Sequence, residues 1–293
     1  MTMTLTHQPV LLKETIDLLN IKPQEVYLDC TVGSGGHAVE ILKKGGKLIG
    51  LDVDPLALKR AEKKIKSHCP DSDFKLIKAN FSTLSALKKD LGLTNISGIL
   101  LDLGLSSEQI ADQKRGFSFN LSAPLDMRAD PDLKVTAADL LNGLTKKELI
   151  LLFKKLGEEP KSHAIAQAVI DFRSQTPFTL TSQLTQIIRR IKFKNQKINP
   201  ATRVFQALRM AVNDELNNLK SVLPQAVSFL KPEGRLLVIS FHSLEDRTVK
   251  MFFKNQKNLK IITKKPITPS AKELKSNLRS RSAKLRAAEK NYE

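Results

Sequence analysis

Short apolar runs alternate with helical patterns over the first third of the chain, and this alternation constrains the fold more than any other feature. The sequence predicts strands over 26–30, 47–52, 74–78 and 97–102, with a helix after each of the first three. Strands that alternate with helices form right-handed βαβ units around a parallel sheet. We therefore expect an α/β protein with a Rossmann-like core.

The alternation stops after Ser107, and the sequence predicts no strand before residue 200. Thr145 and Glu148 have the spacing of a capping box in front of a helix with apolar periodicity. The predicted helices of this stretch are 149–156, 163–172 and 180–191. We therefore expect an inserted all-helical domain over 108–199.

The α/β pattern returns in the last third of the chain. The predicted elements are a long helix over 201–219, a strand over 235–241 and a helix over 243–253. The core is thus predicted to be discontinuous and to consist of 1–107 and 200–293. Two apolar runs in the tail are expected to pair as terminal strands, and the rest of the tail is expected to be mobile until it meets a partner. These two runs are 259–263 and 283–288.

The net charge is the most informative property of the composition. Lys and Arg number 48 against 30 Asp and Glu, which gives +18, and residues 254–293 contribute nine Lys and three Arg against three Glu. Such a surface attracts polyanions through counterion release. Nucleic acid is therefore the expected partner, and a basic surface kept for solubility is the alternative.

Several classes of protein are excluded by the same sequence. It has no apolar run long enough for a membrane span, and its start lacks a secretory pattern, so we expect a cytoplasmic protein without membrane association. Two cysteines suit a reducing compartment and are too few for a cysteine-based metal site. The five histidines show no ligand spacing, so we predict no metal.

A glycine-rich loop follows the first predicted strand. Gly33, Gly35 and Gly36 allow a tight turn, and they let a ligand approach the main chain at the start of the next helix. The spacing Gly33-x-Gly35-x-x-Ala38 also fits a dinucleotide site. At this point a nicotinamide-dependent oxidoreductase stays open as an alternative.

Residues after the next three strands favour a cofactor other than a nicotinamide dinucleotide. Asp52, Phe81 and Asp102 follow the second, third and fourth predicted strands, at the edge where open α/β sheets bind ligands. Asp52 suits ribose hydroxyls, and Phe81 suits the face of an adenine. Asp102 suits an ammonium group, which a hydride-transferring cofactor would not need there. The set therefore favours S-adenosylmethionine as cofactor.

A series of motifs stands in the order of a known family. The motifs are His7-x-Pro-Val-Leu-Leu, Thr31-Val-Gly-Ser-Gly-Gly-His37, Leu51-Asp-Val-Asp-Pro55, Leu100-Leu-Asp-Leu-Gly-Leu-Ser-Ser107, Arg115-Gly-Phe-Ser-Phe119, Pro124-Leu-Asp-Met-Arg128, Pro200-Ala-Thr-Arg-Val-Phe-Gln206 and Ile239-Ser-Phe-His-Ser-Leu-Glu-Asp-Arg247. With them, nearly the whole chain resembles the MraW family of bacterial 16S ribosomal RNA cytosine-N4 methyltransferases. The stretch 254–277 fits the family pattern least well.

The resemblance implies a class I methyltransferase core with an inserted helical domain for substrate recognition. It implies methylation of a cytidine in the decoding region of 16S rRNA, on the exocyclic amine. It also maps the cofactor contacts of the family onto this sequence. The mapped positions are Gly35, Gly36, His37, Asp52, Phe81, Asp102 and Gln109.

The exocyclic amine of cytosine is a poor nucleophile, so alignment and an acceptor oxygen near the amine are the expected catalytic means. Segments 102–107 and 240–243 could supply that oxygen. Asp102 and His242 are the catalytic candidates, with His242 as proton acceptor. The alternatives are a structural His242 and loss of the proton to water.

Four arginines are candidate phosphate ligands, and two phenylalanines beside the first of them could stack on bases. These residues are Arg115, Arg128, Arg203 and Arg247, with Phe117 and Phe119. A place in the core of the insertion is the alternative for the two phenylalanines. The target base must be single-stranded or flipped out.

Other functions stay open from the residues alone. They are methylation of another RNA base or of a protein, and a non-catalytic RNA-binding module. The substrate could be naked RNA or the assembled small ribosomal subunit. The protein could be a monomer or a homodimer.

Overall fold

The computed structural model describes residues 8–191 and 199–292, so residues 1–7, which include His7, residues 192–198 and Glu293 lie outside the described residues. Seven strands form one sheet. The strands are β1 (Val26–Asp29), β2 (Lys47–Asp52), β3 (Phe74–Lys78), β4 (Ile96–Asp102), β5 (Leu230–Ser240), β6 (Leu259–Ile261) and β7 (Lys284–Lys290).

Thirteen α-helices are present in the described part of the chain, together with 3-10 turns at Phe81–Thr83 and Leu278–Ser282. The helices are α1 (Leu12–Leu19), α2 (Gly36–Lys43), α3 (Pro55–His68), α4 (Leu84–Leu91), α5 (Ser107–Ala111), α6 (Ala137–Gly143), α7 (Lys146–Lys155), α8 (Ser162–Arg173), α9 (Thr181–Ile191), α10 (Thr202–Val212), α11 (Glu215–Phe229), α12 (Ser243–Asn255) and α13 (Ala271–Ser276). Among the described residues, no helix is both long and apolar enough to cross a membrane.

The strands of the sheet are ordered β3-β2-β1-β4-β5-β7-β6. The first five strands are parallel, and β7 is antiparallel to both β5 and β6. This confirms the α/β, Rossmann-like class and the pairing of the two terminal strands. The chain passes from β1 to β2 and β3 on one side before β4 joins β1 on the other side. The carboxyl ends of β1 and β4 therefore flank the switch point where such sheets bind ligands.

Alternate residues of the central strands enter two different apolar cores. On β4, Ile99 and Leu101 belong to one core and Leu100 to the other. On β5, Leu236 and Leu237 divide in the same way. Both faces of the sheet are thus covered, which explains why these strands are continuous apolar runs in the sequence.

The chain divides into two compact units, and the first of them contains the sheet. This unit consists of 1–104 and 216–293, and the second unit consists of 105–215. The predicted boundaries, 107/108 and 199/200, therefore both differ from the observed ones, the first by three residues. The second differs more because α10 packs in the second unit, where Val204 and Leu208 belong to the same apolar core as the helices of the insertion.

The second unit is helical. Apart from an isolated bridge between Pro124 and Leu180, its described residues form no strand. The predicted capping box is present at the start of α7. The Thr145 N–H donates to Glu148 Oε2 at 2.7 Å, and the Glu148 N–H donates to Thr145 Oγ1 at 3.3 Å. The fold is therefore a Rossmann-like core with an inserted all-helical domain.

The predicted helix over 201–219 is wrong as a single element. Asn213 separates α10 from α11, because its side chain donates to Met127 O at 2.8 Å and accepts from Ala129 N at 2.6 Å. Asp214 follows in the left-handed region at a φ of 48°. The tail also differs from expectation, because α13 and the 3-10 turn after it are regular structure between β6 and β7.

Candidate functional site

Three carboxylates stand at the ends of three neighbouring parallel strands. Asp29 is the last residue of β1, Asp52 of β2 and Asp102 of β4. Because β1 lies between β2 and β4, the three residues share one edge of the sheet. The structure thus brings together Asp52 and Asp102, both predicted from the sequence, and adds Asp29.

The glycine-rich loop is fixed by the strands beside it. The Cys30 N–H donates to Leu100 O, and the Val32 N–H donates to Leu51 O. Gly33 and Gly35 then adopt φ values of 53° and 79°, a region that favours glycine. A Cβ at Gly35 would also lie 3.1 Å from the Ala61 backbone. The predicted tight turn is therefore a steric requirement at this point.

Asp52 closes the loop onto β2. Its Oδ2 accepts from the Gly33 N–H at 2.9 Å, and its Oδ1 accepts from the Asp54 N–H at 2.9 Å. Burial is the main cause that raises the pKa of Asp52 to about 6, and these backbone donors act against it. Asp54 has the separate role of N-cap for α3, since its Oδ1 accepts from the Leu56 N–H.

Asp102 has a buried oxygen without a hydrogen-bond partner. This oxygen, Oδ1, has no donor among the described residues, while Oδ2 lies 3.7 Å from His37 Nδ1. Burial first, then the negative charges of Asp29 and Glu245, raise the pKa of Asp102 well above its usual range. A buried acceptor that is left open fits a cationic donor from a ligand, as expected for the ammonium of S-adenosylmethionine.

Asp29 is the site residue that sequence reasoning missed. It is 1% exposed, and its Oδ1 accepts from the Thr31 N–H at 3.0 Å. Burial, with a contribution from the charge of Asp52, raises the pKa of Asp29 to about 7. The available signal was the same as for Asp52, because the residue is a carboxylate at the end of a predicted strand.

Gly36 and His37 lie under the chain that precedes α1. The ring of Pro9 leaves no space for a Cβ at Gly36. His37 is 5% exposed, and its Nε2 lies 3.2 Å from Val10 O. In this position His37 supports the loop on one side and faces Asp102 on the other.

Phe81 starts the 3-10 turn after β3, at the predicted place. The preceding Asn80 caps this turn, because its Oδ1 accepts from the Ser82 N–H at 2.9 Å. Phe81 is half-buried and packs at the margin of an apolar core of the first unit. A partly exposed aromatic ring at the carboxyl end of β3 suits contact with an adenine base. The role of Phe81 in cofactor binding stays a prediction.

His242 is the N-cap of α12. Its Nδ1 accepts from the Glu245 N–H at 3.3 Å, and Glu245 Oε2 accepts from the Phe241 N–H at 2.8 Å. His242 Nε2 lies 3.1 Å from Glu245 Oε1 and forms no hydrogen bond within the described part of the chain. The side chain is 8% exposed. This geometry favours the structural alternative over the predicted proton acceptor.

Gln109 lies in the second unit, where it completes a capping box at the start of α5. Its Oε1 accepts from the Ser106 N–H at 2.9 Å, and its own N–H donates to Ser106 Oγ at 3.1 Å. The amide therefore has a local structural role. The predicted cofactor contact of Gln109 stays a prediction.

Two of the four predicted phosphate ligands are held inside the second unit. Arg128 binds both oxygens of Asp126, at 2.8 and 2.7 Å, and also donates to Leu133 O at 2.6 Å. Arg115 donates to the carbonyl oxygens of Arg128 and Ala129, at 2.9 and 2.5 Å. Their donors order the loop before α6, which weakens the prediction that they bind RNA.

The other two arginines are exposed. Arg203 lies on α10 in the second unit, and Arg247 lies on α12 in the first. The two phenylalanines follow the alternative interpretation. Phe117 is 8% exposed in the core of the second unit, and Phe119 packs edge-to-face on Phe205 with ring centres 5.7 Å apart. Base stacking on this pair thus has no support in the structure.

Comparison with known proteins gives this site its context. Proteins named ribosomal RNA small subunit methyltransferase H are 46% identical in Carboxydothermus hydrogenoformans and 45% identical in Heliobacterium mobile. The alignments cover 98% and 97% of this chain and 99% and 98% of those proteins. A solved putative rRNA-methylase of Clostridium thermocellum aligns with a TM-score of 0.48 at 12% identity, over 96% of this chain and 98% of that one, a level that bears on neither function nor site.

A family model, described as the MraW methylase family, matches residues 4–291. Its match spans both units and contains all the site residues described above. Together with the two relatives, it shows that this chain is an S-adenosylmethionine-dependent methyltransferase and belongs to the MraW methylase family.

Proposed function

We propose that this protein methylates the exocyclic N4 amine of a cytidine in the decoding region of 16S rRNA. The names of the relatives support ribosomal RNA of the small subunit as the substrate. The structural observation that carries the proposal is the buried, unpartnered Oδ1 of Asp102 beside the glycine-rich loop. A buried acceptor of this kind fits the cationic group of a cofactor, which supports an enzyme over a protein that only binds RNA.

The residues at the sheet edge fit S-adenosylmethionine group by group. Asp102 would accept from the ammonium, and Asp52 would accept from the ribose hydroxyls. Phe81 would contact the adenine, and Gly35 allows the main chain to approach the ligand. When bound, the cofactor supplies an electrophilic methyl group on a sulfonium. The protein then has to place an amine in line with that methyl.

The weak nucleophilicity of the cytosine amine determines which further groups the protein must supply. The lone pair of the cytosine amine is delocalised into the ring, so an acceptor oxygen that orients the amine hydrogens raises its reactivity. In the first unit, the main-chain carbonyls at the ends of β4 and β5, at 102–104 and 240–242, would supply this oxygen. A methylated ammonium is strongly acidic, so water can take the proton and His242 is free to act as a cap.

The substrate class agrees with the charge of the protein. With a net charge of +18, the surface favours a large polyanion. Arg203 and Arg247 are the two predicted phosphate ligands that are exposed. We further propose that the second unit recognises the RNA and that the protein acts in the cytoplasm on 16S rRNA or the small subunit, as a monomer or a homodimer.

The test is transfer of a tritiated methyl group to candidate substrates. Purified protein and labelled S-adenosylmethionine are offered small ribosomal subunits, naked 16S rRNA and large subunits. We expect label in the small subunit or its RNA and none in the large subunit. Label in the large subunit RNA or in ribosomal protein would contradict the proposed substrate, although the protein would still be a methyltransferase.

A further inference from the structure

Residues 264–282, called here the C-terminal basic segment, carry six exposed cationic side chains and one carboxylate, Glu273. The six cations are Lys264, Lys265, Lys272, Lys275, Arg279 and Arg281. Within the described residues, none of the six forms an ion pair. Their charge is therefore not neutralised inside the protein.

The segment is held firmly to the sheet. At its start, Ile267 and Leu285 of β7 exchange two main-chain hydrogen bonds of 2.9 Å. At its end, Ser280 is fully buried, and its carbonyl accepts from the Ala283 N–H at 2.8 Å. The cations thus project from a fixed backbone, so less conformational entropy is lost when they bind a partner.

The segment also holds the chain that covers the glycine-rich loop. This chain, Gln8–Leu11, is called here the N-terminal strap. Glu273 Oε1 accepts from the Leu11 N–H at 2.9 Å, and Asn277 Nδ2 donates to Gln8 O at 3.2 Å. On its other side, the strap lies on Gly36 and His37, as described above. The strap thus contacts the C-terminal basic segment on one side and the cofactor loop on the other.

One apolar side chain stands among the cations. Leu278 lies between Asn277 and Arg279 in the turn after α13, and it is 79% exposed. A single exposed apolar side chain is common on protein surfaces, so it is the cations of this segment, and not Leu278, that favour a polyanionic partner.

We propose that the C-terminal basic segment binds the phosphate backbone of the RNA substrate beside the cofactor loop. This inference rests on the proposed function and names a surface for it. Unpaired cations on a rigid segment gain affinity by releasing counterions from the RNA. Their place next to the strap keeps the bound RNA close to the cofactor loop.

The test compares two triple variants with equal loss of charge. The first is Lys272→Gln, Lys275→Gln and Arg279→Gln. The control has three exposed lysines of the same unit that lie outside the segment and have no ion pair among the described residues: Lys44→Gln, Lys63→Gln and Lys220→Gln. Binding of naked 16S rRNA is measured on filters over a range of KCl concentrations.

We expect the segment variant to bind at least tenfold more weakly and the control within about twofold of the natural protein. Each lost phosphate contact reduces the magnitude of the slope of log affinity against log salt by about 0.7 to 0.9, so the three substitutions should reduce it by about 2 to 3. Equal losses in both variants would overturn the proposal. A loss on assembled small subunits without a loss on naked RNA would also overturn it, in favour of a protein partner.

Calorimetry with S-adenosylmethionine separates this surface from the cofactor site. Neither variant replaces a residue that contacts the strap, so both should bind the cofactor as the natural protein does. If the natural protein transfers no methyl group to ribosomal RNA, the proposed function itself fails. If it does so, and the segment variant equals the control, only the present inference fails.

Discussion

Thr31 Oγ1 accepts a hydrogen bond from the Asp102 N–H at 2.7 Å and donates to Asp29 Oδ1 at 3.4 Å. One hydroxyl thus joins the ends of β1 and β4 across the switch point of the sheet. Thr31→Val would leave the Asp102 N–H without this acceptor, which costs about 1–3 kcal/mol for a buried group. We expect about tenfold weaker binding of S-adenosylmethionine.

Thr31→Ser is the matched control, since it keeps the hydroxyl and should bind the cofactor almost normally. Calorimetry and a thermal melt would be run on both variants. Equal cofactor affinity in Thr31→Val and Thr31→Ser would show that this hydroxyl does not position Asp102.

Asp29 makes the stability of the cofactor-free protein depend on pH. Its pKa is about 7 in the folded state and about 3.9 in the unfolded chain, so the folded protein holds an additional proton between these values. Its contribution to stability is complete below about pH 4 and is lost as the pH rises through 7. Asp29→Asn keeps an acceptor for Thr31 and removes this loss.

The measurement is urea unfolding of both proteins at pH 5 and pH 8. The free energy of unfolding of Asp29→Asn, relative to the natural protein, should rise by about 2–3 kcal/mol between these pH values. A difference that is the same at both pH values would mean that Asp29 is ionised throughout.

Substitutions of His242 distinguish a capping role of this residue from a catalytic role. We expect His242→Ala to lower the free energy of unfolding by about 1 kcal/mol, because α12 loses its N-cap. His242→Asn should restore most of this stability, since Asn is a good cap. Both variants should retain the single-turnover rate of methyl transfer. If both lose that rate equally while only His242→Ala loses stability, His242 is the proton acceptor after all.

The contact between Glu273 and Leu11 should support cofactor binding through the strap. Leu11 is fully buried in the left-handed region, at a φ of 52°, so its backbone needs the bond that Glu273 provides. Glu273→Ala is expected to weaken cofactor binding by about three- to tenfold, because a bond to a charged group contributes about 1.5–3 kcal/mol and part of it is lost. Glu273→Gln keeps an acceptor and serves as control. Unchanged affinity of Glu273→Ala for S-adenosylmethionine would show that this contact of the strap does not contribute to cofactor binding.

The parallel core could be predicted from the sequence because its strands are buried on both faces. The run 97–102 is therefore visible as a nearly continuous apolar stretch, and β4 is buried along almost its whole length. Two other predicted strands, 47–52 and 74–78, have the same bounds in the structure. The positions of Asp52 and Asp102 followed from the ends of these runs. Asp29 could have been found by the same rule.

Features that depend on contacts between distant residues could not be predicted in this way. The break after α10 depends on Asn213, whose partners Met127 and Ala129 lie far away in the sequence. Arg115 and Arg128 are of the residue type that binds phosphate, yet their guanidinium groups donate to backbone carbonyls of their own loop. Charge and spacing do not reveal such partners.

The most direct test of the central claim is nucleoside analysis of RNA that has received a tritiated methyl group. We expect the label in N4-methylcytidine of 16S rRNA. We also expect Asp102→Asn to fold normally and to lose methyl transfer together with cofactor affinity. Label in another nucleoside, or full activity of Asp102→Asn, would show that the proposed reaction or the role of Asp102 is wrong.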